Sequence, residues 1–492
     1  SYHPDEWIVT IWATQLYAGT ILDSQFEYGG TLYLSFIYFG IKISTFISDF
    51  LPGYNAFANG LIVTRGLLVV VSLLTVYLTY AIGDKLYNRY TGLLAALFLS
   101  VTPGHVIWAQ RVRVDELAAF MATLIFYLSI KVYQQHSLSR RYWALLGVCV
   151  GAAIALRAPL LLFAAAPVIA WWLSAAKTSE LFSKDHLKCL SIYTISIIFA
   201  YFSFSPHSLL YFDHFINGLL LQQKYQSIVF VESVGLGPIG WQYIRYMLPQ
   251  ALGWPFYLLM LSALIWLLRY REKRALFVAL TALPYLLLTA VGSWVVVRYT
   301  IPLLPFIALL CAAFIYFLQS NTGFKKGVIP AGVTVVVVTL SFLLPYQELH
   351  TRKNVREEVH DWMSKNIAPG SSVLTLRPFK KDVFSEPIIP VSLKRGFVKY
   401  PEQMQCDRCY EAWIYDYIVV SDPLLGNIER LQSDYPHAEM IKFYSWLKSS
   451  HELVKEFADS PYWFGINIQG MYSAHDLNYV SPNYRLYRKK EM

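Results

Sequence analysis

Charge is scarce in this chain. Of its 492 residues only 15% are Asp, Glu, Lys or Arg, against 56% hydrophobic residues. With a mean hydropathy of +0.41, that balance excludes an ordinary water-soluble protein of this length and calls for a lipid solvent. Cysteine is scarcer still, at five residues. Cys149, Cys189 and Cys311 fall inside apolar segments, where a thiol behaves as a small hydrophobe, and they are read as inert. Cys406 and Cys409 form the one close pair, in Cys-Asp-Arg-Cys. Such a pair supplies half the ligands of a structural zinc site, but a local disulfide in an oxidising compartment is the preferred reading. Internal repeats, low-complexity segments, an initiator Met and a signal peptide are all missing, and the abrupt start at Ser1 leads us to expect a further N-terminal segment before it.

Aromatic residues, in contrast, are plentiful, with 36 Tyr, 30 Phe and 14 Trp. Rings in such number suit the interfacial belts of a membrane protein. The net charge of +9 does not point to nucleic acid, because the excess Lys and Arg lies in short loops between apolar runs, where it acts as a topology signal.

Apolar spans of roughly 17 to 25 residues are predicted near 61–83, 91–109, 115–133, 142–156, 158–175, 189–210, 249–268, 275–297, 299–318 and 328–345. The division at Arg157-Ala158-Pro159 follows from the helix-breaking Pro and from the avoidance of the bilayer centre by Arg. Alternate loops carry Lys85 and Arg89, then Lys131, Arg140 and Arg141, then Lys177, Lys184 and Lys188, then Arg269, Arg271, Lys273 and Arg274, then Lys325 and Lys326. Short basic loops are retained in the cytoplasm. The N-terminal segment, the turns at 111–115, 157 and 298, a loop from about 211 to 248 and everything after about 346 are then expected outside. Residues 8–22 and 31–47 are apolar but interrupted, and are read as interfacial helices on the outer surface.

From about 346 the composition turns mixed polar. An amphipathic helix over Val355 to Ile367, strands at Ser372 to Leu376 and Tyr417 to Val420, and a last strand at Tyr484 to Tyr487 predict a small soluble α/β domain over 346–492, following a membrane domain over 1–345.

His3-Pro4-Asp5-Glu6 places two adjacent carboxylates just before an interfacial helix. Helix capping would account for them; chemically, an aspartate near low-dielectric surroundings can also serve as a general base toward an acceptor hydroxyl. Arg65, Arg111, Arg113, Arg157 and Arg298 lie at outer span ends, with Asp115 and Glu116 beside the third span. Any one such Arg could merely snorkel. Several on one face run against the positive-inside bias, and multiple guanidiniums suit the phosphate of a membrane-embedded lipid.

Tyr2-His-Pro-Asp-Glu6, Phe26-Glu-Tyr-Gly-Gly-Thr-Leu-Tyr33, Arg65-Gly-Leu-Leu, Gly92-Leu-Leu-Ala-Ala-Leu-Phe-Leu-Ser-Val-Thr-Pro103 and Arg298-Tyr-Thr-Ile-Pro-Leu-Leu-Pro305, in that order, resemble the GT-C class of membrane glycosyltransferases. The type approached is that of the dolichyl-phosphate-mannose protein mannosyltransferases and aminoarabinose transferases. Trp362 with Asn366-Ile-Ala-Pro-Gly370 resembles the start of the outer domain in many members. The resemblance implies a GT-C-like helical bundle with a C-terminal α/β domain. It also implies sugar transfer from a polyprenyl phosphate to a protein, lipid or glycan acceptor outside the membrane. It makes Asp5 the catalytic base and Glu6 its neighbour, puts Asp115 where members often have a second acidic residue, and puts Arg298 on the basic position of the Arg-Tyr-x-x-Pro-x-x-Pro pattern. Beside it, we read Arg65, Arg113 or Arg157 as assisting Arg298 at the donor phosphate, and His3, Tyr28 and Asp115 as acceptor-binding or site-shaping. Arg157 departs from the pattern, since many members have Lys there. No Asp-x-Asp motif is present, so neither a metal nor another cofactor is implied. A secondary transporter with an outer accessory domain, or a non-catalytic membrane scaffold, are the alternatives. Membrane charges near the bilayer midplane and an internal repeat would favour the former.

Overall fold

The computed structural model describes residues 4–50, 56–135, 139–174, 184–226, 237–292, 295–321, 332–341, 343–345, 355–376, 392, 394–398, 415–421, 428–429, 431, 438–457, 462–463, 466–467 and 484–490. Its contacts divide the chain into two units. One consists of Asp5–Ile228 with Pro238–Leu344, and the other is chiefly Pro345–Met492.

The first unit is helical throughout. Helices α1 (Pro4–Tyr17), α2 (Leu32–Ser48), α3 (Ala56–Leu86), α4 (Arg89–Val101), α5 (Pro103–Ala109), α6 (Val114–Gln134), α7 (Arg140–Leu156), α8 (Ala165–Ser174) and α9 (Lys184–Phe204) are followed by the short α10 (His207–Leu210) and by α11 (Phe212–Gln226). Then come α12 (Ile239–Gln242), α13 (Leu248–Leu252), α14 (Trp254–Tyr270), α15 (Lys273–Val291), α16 (Leu304–Asn321) and α17 (Gly332–Pro345). Five of the described helices are long and apolar enough to cross a membrane, or six if the bent pair α4–α5 is one span. Shorter apolar helices occupy Leu32–Ser48, Ala158–Ser174, Trp254–Tyr270 and Gly332–Pro345. Each predicted apolar run thus contains helix, but several are broken.

The sharpest break divides the run at 91–109. Asn88 caps α4 by accepting from the Thr91 amide, and the helix stops at Thr102, whose extended backbone is what a residue before proline prefers. Pro103 then opens α5 at an angle of 63° to α4. A second break falls where it was expected: Arg157 leaves α7 in an extended conformation, and Pro159 sits inside a 3-10 turn, Ala158–Ala164. α7 and α9 pack closely because Gly147 and Gly151, spaced by four, face the partner helix; a Cβ on either would lie 2.5 Å from a backbone oxygen of α9. Between 211 and 248, where a loop was expected, α11 forms instead. Its Phe215 meets Phe26 edge to face at 6.2 Å, so tertiary packing supports a helix whose mixed composition gave no run of membrane length.

The second unit is an α/β domain. Its five-stranded sheet has the order β2 (Lys394–Val398), β1 (Ser372–Leu376), β3 (Tyr417–Ser421), β7 (Tyr484–Lys489), β4 (His451–Phe457). The β1–β2 and β1–β3 pairs are parallel, and β7 runs antiparallel to both β3 and β4. The two-stranded β5 (Tyr462–Trp463) and β6 (Ile466–Asn467) pair separately. Val355, Val359 and Met363, spaced by four on α18 (Val355–Asn366), pack with Val373, Val419 and Leu486. Phe443, Tyr444 and Leu447 of α19 (Ala438–Ser450) pack with Leu374, Ile418 and Val420. The alternation of Ile418, Val419 and Val420 between those clusters is the period-two pleat of a strand covered on both faces. Cys406 and Cys409 lie outside the described residues.

Candidate functional site

The predicted site residues that can be placed lie in the helical unit. His3 falls outside the described residues, and Asp5 is described by its backbone alone, as the second residue of α1. Glu6 is fully buried. Arg65 on α3 donates to both of its carboxylate oxygens, from Nε at 3.0 Å and Nη2 at 2.6 Å, and the Val112 amide donates to Oε1 at 2.7 Å. One carboxylate therefore ties α1 to α3 and to the segment joining α5 to α6. The Val112 carbonyl in turn accepts from the Tyr33 hydroxyl of α2 at 2.9 Å, so both main-chain groups of that residue are held.

Three residues further on, Asp115 enters the first turn of α6. Its Oδ1 accepts from Arg157 Nη1 at 2.5 Å, and Arg113 Nε lies 3.8 Å from Oδ2. The Arg157 guanidinium stands over the Tyr299 ring at 4.6 Å, with Arg298 5.8 Å from the same ring. Arg111 covers Trp108 at 4.6 Å. Asp115, Arg113, Arg157 and Arg298 are only 1%, 3%, 7% and 7% exposed, so these are desolvated charges whose presence requires partners. A continuous path of contacts runs from Arg65 through Glu6, Val112, Arg113, Asp115, Arg157 and Tyr299 to Arg298.

The backbone explains why Arg157 can be aimed. A Cβ on Gly30 would sit 2.4 Å from the Ala155 carbonyl oxygen, and Gly29 adopts a φ of +85°, a left-handed conformation open to glycine. The Gly29-Gly30 step thereby docks onto the end of α7, and the Ala158 amide donates to the Tyr28 carbonyl at 2.8 Å. Tyr28 itself meets Tyr33 edge to face at 5.7 Å. The predicted Phe26–Tyr33 stretch is thus a clasp beside Arg157.

Sequence reasoning missed Tyr33, Tyr299, Ser72 and His105. Ser72 and His105 sit in the apolar runs of α3 and of α4–α5, where a polar residue in a membrane segment was the available signal. Five guanidiniums (Arg65, Arg111, Arg113, Arg157 and Arg298) and three carboxylates (Glu6, Asp115 and Glu116) belong to this region, all but Arg65 buried, so positive charge is in excess among these described side chains. Buried guanidiniums with a positive surplus can receive a phosphate through bidentate hydrogen bonds. Among the described residues, no group of three or more His, Cys, Asp or Glu is arranged to hold a metal ion.

A family model described as dolichyl-phosphate-mannose-protein mannosyltransferase matches residues 54–208. Comparison with curated protein sequences gives no match. Among solved structures, ArnT from Cupriavidus metallidurans bound to undecaprenyl phosphate is similar over 99% of this chain and 94% of that one, with 10% identity and a TM-score of 0.51. An oligosaccharyltransferase of Archaeoglobus fulgidus is similar over 90% of this chain and 67% of that one, with 12% identity and a TM-score of 0.49. The chain is a polytopic membrane protein with the fold of the GT-C glycosyltransferase class.

Proposed function

We propose that this protein transfers a sugar from a polyprenyl phosphate to an acceptor hydroxyl at the extracytoplasmic face of the membrane. The observation that carries this reading is the buried contact path that joins the acidic start of α1 to Arg113, Asp115, Arg157 and Arg298. A phosphate placed among the guanidiniums is a better leaving group, because they stabilise the charge that grows on its bridging oxygen. The acceptor oxygen attacks the anomeric carbon, the bond from that carbon to the phosphate oxygen breaks, and the acceptor proton passes to Asp5, in a single displacement with inversion.

Glu6 suits the base role less well than Asp5 does. Three N–H donors occupy its oxygens, and an acceptor hydroxyl would have to displace one of them. Arg65, engaged by Glu6, supports the site by holding that carboxylate. Asp115 acts by aiming Arg157. The basic loops support an extracytoplasmic position for the α1 end of the path, and acceptor recognition is assigned in this reading to the C-terminal unit.

The test is incubation of the purified protein with labelled polyprenyl-phosphate sugars. Release of free polyprenyl phosphate coupled to label on an acceptor is expected. Movement of an uncleaved substrate across proteoliposomes would instead favour transport. Cysteine replacements at Arg141 and Lys365 test the face: an impermeant reagent should label the latter and spare the former in intact cells.

A further inference from the structure

A polar chain lies next to the proposed donor site and takes no part in the mechanism above. His105, on α5, has Nε2 2.8 Å from Ser72 Oγ on α3 and Nδ1 3.3 Å from Glu116 Oε2 on α6. Ser72, His105 and Glu116 are all buried. Neither oxygen of Glu116 meets hydrogen-bond geometry with any described group, and the His105 imidazole approaches Oε2 at 3.3 Å. A carboxylate this buried is expensive to keep without a donor. One side chain can serve both neighbours, since an imidazole accepts on one nitrogen while donating from the other.

The location matters more than the pairing. Glu116 follows Asp115 directly in the first turn of α6, so whatever fixes Glu116 also fixes the residue that holds Arg157. α5, which presents His105, is seven residues long and leaves α4 at 63°. A helix that short is marginal alone and needs tertiary contacts to hold its place.

We propose that His105 is a positioning residue: by bridging Ser72 and Glu116 it locks the first turn of α6, and with it the Asp115–Arg157 pair, in the arrangement that receives the donor phosphate. This rests on the donor reading above. The competing account is a histidine that merely satisfies polar atoms in a helix interface, and the two differ in what they do to ligand binding.

The experiment uses the full chain in detergent, with undecaprenyl phosphate as the probe and hydrogen exchange read over residues 111–117. His105→Leu is expected to speed exchange in that segment and weaken undecaprenyl phosphate binding, each by about fivefold, the size of one ordinary hydrogen bond such as that between His105 and Ser72. Exchange in α7 and α9 should stay at the parent rate. His105→Gln, which can still accept from Ser72 and donate to Glu116, should recover most of both losses. With donor sugar, the Leu variant should raise KM and also lower kcat, because a displaced Arg157 serves neither the bound phosphate nor the charge that grows on it as the bond breaks. If the Leu variant does not fold, Ser72→Ala removes only the hydroxyl and should give the same pattern at smaller size.

Exchange at the parent rate in His105→Leu overturns the proposal. So does faster exchange with unchanged lipid binding, or a Gln variant no better than Leu. Failure of the parent itself to bind undecaprenyl phosphate refutes the donor reading and the functional role of His105 with it. Failure confined to the variants' predicted loss refutes the positioning role alone.

Discussion

Both units pair arginine with carboxylate, and the pairs differ in their surroundings. In the helical unit Arg157 meets Asp115, and Arg65 meets Glu6, with carboxylates shut away from solvent. In the C-terminal unit Arg488 of β7 meets Glu452 of β4 with both side chains open to solvent. Water screens the second kind and leaves it worth little, whereas a pair in the first setting cannot lose one member without stranding the other. Charges held at such a cost in a lipid-facing protein point to use, and charges on a wet sheet edge point to solubility and to blocking strand addition.

The contrast is sharpened most by breaking Asp115. Asp115→Leu should lower unfolding stability in detergent by about 3–5 kcal/mol, the cost of a stranded buried charge, and Asp115→Leu with Arg157→Met should recover much of it. A single-variant loss below about 1 kcal/mol would mean that the pair behaves as a surface pair. Next in size, Asp5→Asn should reduce turnover about a hundredfold with donor affinity nearly unchanged, as removal of a general base does; activity within a few-fold of the parent would remove Asp5 from the base role. Arg298→Ala should weaken donor binding by about tenfold, with Arg298→Lys rescuing only in part because a point charge replaces a fork.

Smaller effects belong to the C-terminal unit. Burial, with help from the Lys489 charge, pushes the His451 imidazole below its ordinary 6.5. Between the lowered value and 6.5 the unfolded chain binds more protons than the folded one, so this contribution is intact above pH 6.5 and is lost as pH falls below it. Hydrogen-exchange protection factors in β4, corrected for the intrinsic rate at each pH, should therefore fall on acidification, and His451→Gln should flatten that response. Last, Arg488→Ala should change stability by no more than about 0.5 kcal/mol, as exposed pairs do. A loss several times larger in a thermal scan would show that this edge is buried against something.

Features with a physical minimum size were legible in the sequence. A membrane demands long apolar runs, so the helices around 61–83, 115–133 and 299–318 could be placed by length, and Pro159 marked its own break. Pro103 carried the same signal, but Gly92 to Ala109 reads as one apolar run unless the proline is weighted above its neighbours. β1, β3 and β7 were visible through their β-branched and aromatic residues. β4, with sequence His-Glu-Leu-Val-Lys-Glu-Phe, was hidden by its charges, which are what an edge strand carries. In the site, the arginines were grouped by their position relative to basic loops. The contacts of His105 with Ser72 and Glu116 could not be read, because separations of 33 and 11 residues encode no contact when the helix between them bends.

The Gly29-Gly30 clasp also has a consequence for how the protein is made. It docks on Ala155 and Ala158, while the neighbouring Thr31 amide donates to Ser205 Oγ at 2.8 Å. The clasp at residues 29–31 therefore meets these partners only after some 130 to 175 further residues have left the ribosome, a wait on the order of ten seconds at ordinary synthesis rates. Throughout that interval Glu6 has Arg65 within reach before Val112, and Val112 before Arg157 exists to meet Asp115. The order of synthesis thus builds the site from its acidic end toward its basic end, and a nascent chain halted before α9 would carry the carboxylates without the contact that locks the clasp in place.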